Sequence, residues 1–326
     1  MTEKMQAWSV SAYGGPDRLK PVSRPIPRPG PGDILVAVRA SAVTRADSMM
    51  RAGVPRFARA FLGLRRPRKD LIGTGFSGEV LAVGAAVTQF HVGDAVFGEA
   101  GLNFGANASH ICVNAAGVVM KKPADLPHDM AAVMCDGPLT SWNFLCNIGA
   151  LRPGERVLIL GGSGSLGSAA IQIAKSLGAE VTATTSAGNR DLVAGLGADH
   201  VIDYRAASFA GAAMAYDMVY DTLGVASFAA VKPVLTPAGR YLCPVLRFRL
   251  LRAMLWSRLF GRQRAIFAAT GLAPPEQLRP MLAALLDLYA AGRCAPVMDR
   301  RFAFGEIPAA HAYVDAGHKR GNIVVA

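Results

Sequence analysis

Residues 157–172 read VLILGGSGSLGSAAIQ: an unbroken apolar run, a knot of glycines, then the spacing of a helix. A short apolar run bounded in this way reads as a buried strand of a parallel sheet. Gly162, Gly164 and Gly167 satisfy G-x-G-x-x-G, and they do so between strand and helix, the setting that gives the spacing meaning. The first glycine allows a tight turn, the second lets backbone approach a pyrophosphate, and the third lets helix and strand pack closely. Backbone N–H groups at the helix start then face phosphate. A nucleotide-hydrolase loop is excluded, because no Gly-Lys-Ser/Thr follows. The bland alternative is a glycine-rich connection with no ligand.

The surrounding pattern fits that loop. EVTATTS, HVIDY, YDMVYDTLG and GRYLCP read as further strands, with helical segments between them. Alternation of this kind predicts a doubly wound α/β domain with a parallel sheet. HDMAAVMCDGPLTSWNFLCNIG reads as one helix leading into it, and PPEQLRPMLAALLDLYAAGR as a helix with a Pro-marked start. Residues 1–124 are different: ILVAVRA, SGEVLAVG and DAVFG are short strands between turns such as PGPGD, which predicts a small β-rich domain. The last segment, from about 293, returns to strand, helix, strand. The expected division is 1–124 with 293–326, and 125–292.

The choice of dinucleotide rests on the end of the second strand. An NAD site carries an acid there, on the ribose hydroxyls. Here the strand ends Thr184-Thr185-Ser186, followed by Gly188-Asn189-Arg190, with no acid between Glu180 and Asp191. A small hydroxyl at Ser186 beside Arg190 suits a 2′-phosphate, so the expected cofactor is NADPH. Otherwise Arg190 is a solvated residue of a first helical turn.

The 326 residues allow about two domains, and 52% hydrophobic content provides for their cores. The longest apolar runs are too short to span a bilayer, and the first residues have no apolar h-region, so no signal peptide is expected. Five cysteines, an odd number with no C-x-x-C pair, fit reduced thiols and a cytoplasmic setting. The net charge of +12 is concentrated. Residues 45–69 hold eight bases and only Asp47 as acid, and residues 247–264 hold six arginines and no acid. Removing these segments leaves 21 bases against 22 acids, a nearly neutral body. VLRFRLLRAMLWSRLF, at 245–260, reads as a helix with arginine on more than one side. Such a segment can border a lipophilic substrate, touch anionic lipid with arginine snorkelling outward, or simply be solvated. Nucleic acid is not expected, because no recognition motif accompanies the charge.

Taken in order, YGGPDRLK (13–20), SAVTRAD (41–47), GTGFSGEVLAVGAAVTQFHVGDAVFG (73–98), GPLTSWNFL (137–145), LGADHVIDY (196–204) and GHKRGNIVV (317–325) resemble the medium-chain dehydrogenase/reductase superfamily, in its zinc-free quinone-oxidoreductase branch. The resemblance covers nearly the whole chain. It implies a GroES-like catalytic domain drawn from both ends of the chain around a Rossmann domain that binds NAD(P)H, and a homodimer. It implies Thr140 near the nicotinamide ribose, Ser165 and Leu166 as backbone donors to the pyrophosphate, Tyr204 on the adenosine 2′-phosphate and Leu223 near the ribose. The positions of the catalytic-zinc ligands of the superfamily correspond to Thr44, Thr74 and Asp136, one oxygen ligand of three, so no zinc is expected. The four-cysteine structural-zinc lobe has no counterpart. Two departures from the branch are Thr44, where Asn is frequent, and Asn322, where Lys is.

Without a Lewis acid to hold an alkoxide, an alcohol is a poorer substrate than an acceptor that takes hydride readily. The expected reaction is reduction of a quinone or α,β-unsaturated carbonyl, a lipophilic small molecule, with close positioning as the main source of rate. Thr44, Arg45 and Asp47 lie in the matching active-site loop. Arg45 is a candidate to stabilise a developing oxyanion, and Asp47 either takes part in proton chemistry or caps the helix. The six histidines show no ligand spacing and read as surface or packing residues; Cys135 reads as a buried thiol. The rival readings are an alcohol or aldehyde dehydrogenase, and a weakly catalytic NADPH-binding protein at a membrane surface.

Overall fold

A computed structural model describes residues 3–211 and 215–326. Contacts divide the chain into two compact units, one formed by Met1–Asp136, Pro274–Pro280 and Met298–Ala326, the other by Gly137–Ala273 and Met281–Val297. Strands and helices are numbered along the chain.

In the first unit β1 (Lys4–Val10) and β2 (Leu19–Pro25) form an antiparallel pair. A larger sheet contains β3 (Asp33–Ala42), β4 (Gly75–Val83), β5 (Ala95–Glu99), β6 (His110–Asn114), β7 (Val118–Lys121), β14 (Met298–Phe302) and β15 (Asn322–Val325). Its order among the described residues is β14-β15-β3-β4-β5-β7, with β6 also on β3. Short antiparallel strands with inward-facing Ile34, Val36, Phe76, Val80, Val96, Ile111 and Val119 enclose one core. A second core forms where Trp8, Val10, Val43 and Ile72 meet Ile307 and Val314 of α10 (Ile307–Ala316). Helix α1 (Arg45–Ala52) leaves β3, and the short α2 (Arg59–Leu62) follows it.

The long helix expected from residue 128 is interrupted. Helix α3 (His128–Val133) packs on β3, β4 and β5, so it belongs to the β-rich unit and the division falls at Asp136, not 124. Helix α4 (Gly137–Trp142) starts afresh and runs into a π-helical turn, Asn143–Ile148.

The second unit is a parallel sheet of β8 (Arg156–Leu160), β9 (Glu180–Thr185), β10 (His200–Asp203), β11 (Tyr216–Asp221), β12 (Leu235–Cys243) and β13 (Arg264–Phe267). The order β10-β9-β8-β11-β12-β13 is the doubly wound order 3-2-1-4-5-6. Val157, Leu158, Ile159 and Leu160 are all buried, as a strand covered on both faces requires. Helices α5 (Ser165–Ser176), α6 (Arg190–Gly195) and α7 (Phe228–Val231) are crossovers, as is the helix between β12 and β13. Helix α7 stops at Val231, since Pro233 lies in a 3-10 turn and β12 begins at Leu235. The basic segment forms α8 (Phe248–Phe260), and α9 (Pro275–Ala290) is the predicted Pro-started helix. Order reversal occurs at β8, so the glycine loop after β8 sits at the switch point where such sheets bind ligands.

Candidate active site

The glycine loop is set in place from three sides of its own unit. Gly161 has φ +87, a left-handed backbone that favours glycine, and its N–H donates to the Thr184 hydroxyl at 3.1 Å. The tight turn therefore belongs to Gly161, one residue before the glycine read from the spacing. Gly162 serves packing instead: a Cβ there would meet Ala183 Cβ at 3.0 Å and Ile171 at 3.3 Å. Gly167 is demanded most strongly, because its Cβ would lie 2.1 Å from the Gly161 carbonyl oxygen. Gly164 is the N-cap of α5, and its nearest protein atom would be 3.6 Å from an added Cβ. No protein atom requires glycine at 164, and no side chain caps the helix. The space before the N-terminus of α5 is thus left clear, with the helix dipole directed at it.

Helix α4 carries Thr140 and is clamped to this loop. A Cβ on Gly137 would stand 2.3 Å from Ser165 Oγ and 2.5 Å from the Ser165 carbonyl oxygen, and Ser141 Oγ donates to the Leu166 carbonyl at 2.8 Å. Leu223, half-exposed, lies over Gly161. Its turn is built by Asp221, which accepts from the N–H groups of Leu223, Val225 and Ala226 and from the Tyr241 hydroxyl. Sequence reading missed Asp221; only its place at the end of β11 marks it.

At the end of β9, Thr185 Oγ1 and Asn189 Nδ2 both bond Ser163 Oγ at 3.1 Å, tying the glycine loop to the loop that holds Ser186. Ser186 is partly exposed and Arg190 is exposed at the start of α6. Tyr204 follows β10, its N–H donating to the Thr185 carbonyl, and Arg205 lies over its ring at 5.7 Å. Register Asp203↔Thr185 brings Tyr204 beside Ser186. Arg205, a second base at this edge, was missed because nothing in the sequence pairs it with a tyrosine that is also its neighbour. The residues fit a dinucleotide: the N-terminus of α5 has no side-chain cap, no protein atom requires glycine at 164, and no carboxylate occurs from Ser186 to Asn189.

In the first unit Thr44 and Asp47 come together. Thr44 caps α1: its N–H and hydroxyl donate to Asp47 Oδ2 at 2.8 and 2.7 Å, and the Asp47 N–H donates to Thr44 Oγ1 at 3.0 Å. This reciprocal capping box settles the helix-capping role of Asp47. Burial raises the Asp47 carboxyl to about 6, against the pull of the Thr44 and Thr74 hydroxyls, and the Asp136 carboxylate adds to the rise. Glu99 is pushed to about 8 by burial and by Asp136 and Asp47. The nearby charge on Lys319 is favoured by Asp136 and Asp299 and opposed by burial, which lowers it.

Arg45 does not join Thr44 and Asp47. Its side chain is 64% exposed and its guanidinium stands 3.7 Å from Asp315. The buried arginine of α1 is Arg51, paired with Asp315 at 2.5 Å and donating to the Gly14 carbonyl. Beside it His311 is buried and held neutral, its imidazole lowered to about 3 by burial and by Arg51. Asp47 and Arg51 line a cavity of about 180 Å³ whose other walls include Val10, Met50, Leu62, Leu71, Ile72 and Phe104, with Arg68 and Lys69 among its lining residues. Cys135 is buried and its thiol is held far above its ordinary range by burial.

The residues at the three zinc-ligand positions do not fit zinc. Thr44 and Thr74 offer hydroxyls where thiolate and imidazole are needed, and the Thr44 hydroxyl is committed to Asp47. Among the described residues no group of three or more His, Cys, Asp or Glu side chains is arranged to hold a metal.

A β-rich unit with a capped loop, and a doubly wound unit with a dinucleotide-type glycine turn, define a two-domain nicotinamide-dependent oxidoreductase. Comparison with known proteins agrees. Residues 30–134 match the alcohol dehydrogenase GroES-like domain family, and residues 196–325 match a family described as zinc-binding dehydrogenase. The mitochondrial NAD(P)H oxidoreductase RTN4IP1 of Mus musculus is 30% identical, covering 98% of this chain and 89% of the relative. The chloroplastic quinone-oxidoreductase QR1 of Triphysaria versicolor is 30% identical, covering 98% of each. The structure of the quinone oxidoreductase from Coxiella burnetii superposes with a TM-score of 0.88 at 27% identity over 99% of both chains. The chain belongs to the medium-chain dehydrogenase/reductase superfamily, in its zinc-independent, quinone-oxidoreductase-like branch. It is an NAD(P)H-dependent oxidoreductase with a GroES-like catalytic domain and a Rossmann domain.

Proposed function

We propose that this chain uses NADPH to reduce a lipophilic quinone or α,β-unsaturated carbonyl without a metal. Gly162, Gly164, Ser165, Leu166 and Gly167 would hold the pyrophosphate, Thr140 and Leu223 the ribose on the nicotinamide side, and Ser186, Arg190 and Tyr204 the 2′-phosphate, with Arg205 reinforcing that edge. The bound cofactor supplies the hydride. Thr44 and Asp47 belong to the loop that corresponds to the active-site loop of the branch. The single observation that carries the acceptor class is the cavity beside Asp47: its walls are mainly apolar, and the donor set next to it, Thr44 and Thr74, suits no Lewis acid. An alcohol needs help to become an alkoxide, whereas a quinone or enone needs only proximity and one proton. Glu99 is a carboxyl of this unit that keeps its proton at neutral pH, because its carboxyl is raised to about 8. Arg45, exposed and held at Asp315, is left out of the chemistry.

The test is oxidation of NADPH by chelator-treated protein with an ortho-quinone, an aliphatic enone or an alcohol (NADP+ in the last case), repeated with NADH and with Arg190→Ala. Turnover of quinone or enone that survives the chelator is expected. Arg190→Ala should weaken NADPH roughly tenfold, the scale of one lost charge-assisted contact, and leave NADH unchanged. Equal loss for both cofactors would remove Arg190 from the 2′-phosphate. Chelator-sensitive alcohol oxidation would replace the acceptor reading with a dehydrogenase one.

A further inference from the structure

Helix α8 is apolar on both sides: Leu250, Ala253 and Met254 pack on the core of its own unit, and a second apolar set faces outward. Its inner side is anchored on its own unit. Leu250 and Ser257 are buried, Ser257 Oγ accepts from the Ala265 N–H of β13, and Arg264 donates to the Ser257 and Arg258 carbonyls. Arg249 donates to the carbonyls of Gly224 and Ala226. The side facing solvent is apolar as well. Phe248 is 76% exposed, Leu255 63%, Leu259 62%, Trp256 64% and Phe260 70%, and Leu251 is exposed as well. At helical spacing Leu251, Leu255, Phe248 and Leu259 fall within about 80° of arc, and Trp256 and Phe260 continue it as a ring pair with centroids 4.7 Å apart. Exposed arginines interrupt and border this face: Arg252 within it, and Arg247, Arg258 and Arg262 around it. None of these four makes an ion pair among the described residues, and no acid occurs from 247 to 264.

We propose that the outer face of α8 docks on an anionic lipid bilayer, its Leu, Phe and Trp side chains entering the headgroup–acyl boundary and its arginines meeting lipid phosphates and carboxylates. Charge complementarity and exposed apolar area coincide on this face. A contiguous apolar face on a soluble surface marks a contact, and an interfacial helix pairs such a face with bases that snorkel outward. A second copy of this chain is the poorer occupant. A two-fold contact through the centre of this face places it on itself, which would bring arginine against arginine with no acid to separate them. Nucleic acid would satisfy the arginines and leave six large apolar side chains uncovered. The firm inner anchorage gives the helix a fixed outward face, so docking requires no rearrangement of the sheet behind it. The inference does not depend on which acceptor is reduced.

The test is flotation of the full chain with phosphatidylcholine vesicles, with and without phosphatidylserine, at low and high salt. Binding is expected only with phosphatidylserine, weakened by salt as surface electrostatics are screened. Leu255→Gln with Leu259→Gln, and separately Arg252→Gln with Arg258→Gln, should each reduce binding at least tenfold while the far-UV spectrum and NADPH oxidation stay unchanged. Trp256 fluorescence should be quenched by brominated lipid, and that quenching should be lost in Trp256→Tyr. Vesicle binding indifferent to both double variants would overturn the proposal. So would absence of binding combined with a fall in oligomeric mass in the Leu variants, which would give the face to a second copy.

Discussion

Two glycines three residues apart separate what the fold requires from what the ligand requires. At Gly167 an added Cβ meets the Gly161 carbonyl oxygen at 2.1 Å, and backbone cannot swing aside as a side chain can. Gly167→Ala is expected to cost about 1–3 kcal/mol in stability and to lower the melting temperature with or without nucleotide. At Gly164 the backbone has φ −79, acceptable to alanine, and nothing lies within 3.5 Å of the new methyl. Gly164→Ala should melt within a few degrees of the parent, losing at most about 1 kcal/mol as a poorer N-cap, yet bind NADPH at least tenfold more weakly. Calorimetric binding alongside thermal unfolding separates the two. If Gly164→Ala binds NADPH normally, the cleared space before α5 does not hold the pyrophosphate.

Among elements, the contact of α4 with α5 is the one that relates Thr140 to the glycine loop. It rests on the absence of a side chain at Gly137, where a Cβ would press Ser165 Oγ and the Ser165 carbonyl oxygen at once. Gly137→Ala should push α4 off α5, reducing NADPH affinity several-fold and stability by about 1–3 kcal/mol; unchanged affinity would free Thr140 of any role set by that contact. This clamp was invisible in the sequence, where Gly137 reads as part of one long helix from residue 128. Periodicity alone joins α3 to α4, because the break between them is a matter of packing: α3 covers the β3–β5 sheet of one unit and α4 lies against α5 in the other. The strand–glycine–helix unit was legible because a buried parallel strand needs a continuous apolar run and a glycine turn has few substitutes. Edge strand β13 was not, since Ala265, Ile266 and Phe267 form too short a run to stand out beside the arginines. The spacing also named Gly162 for a turn that the φ of +87 assigns to Gly161; a string of adjacent glycines fixes the motif and leaves its phase open.

For the molecule as a whole, two carboxyls of the first unit, Asp47 and Glu99, make it sensitive to alkali. Glu99, ordinarily near 4.5, is raised to about 8 in the folded protein, and Asp47, ordinarily near 3.8, to about 6. Folded protein therefore holds protons that the unfolded chain releases. Their stabilising contribution is complete below about pH 4 and is lost as pH rises, through 6 for Asp47 and through 8 for Glu99. Glu99→Gln removes the later loss. Its melting temperature should overtake the parent's on the order of 2–4 °C by pH 9 and differ little at pH 5. A constant difference across that range would mean that Glu99 is not held protonated by the fold.

The sheet of the first unit also carries a clock. Strand β15 (Asn322–Val325) pairs with β3 through Val324↔Ala42 and Val325↔Ser41, and β14 joins the sheet on the far side of β15. The whole doubly wound unit is encoded between these partners, about 280 residues of chain. At roughly 5–20 residues per second on the ribosome, β3 waits tens of seconds with the edge that β15 will cover still open, while the second unit has every strand it needs. The nucleotide-binding half can thus be complete before the catalytic half is, and the nascent protein meets its cofactor before it has a finished place to use it.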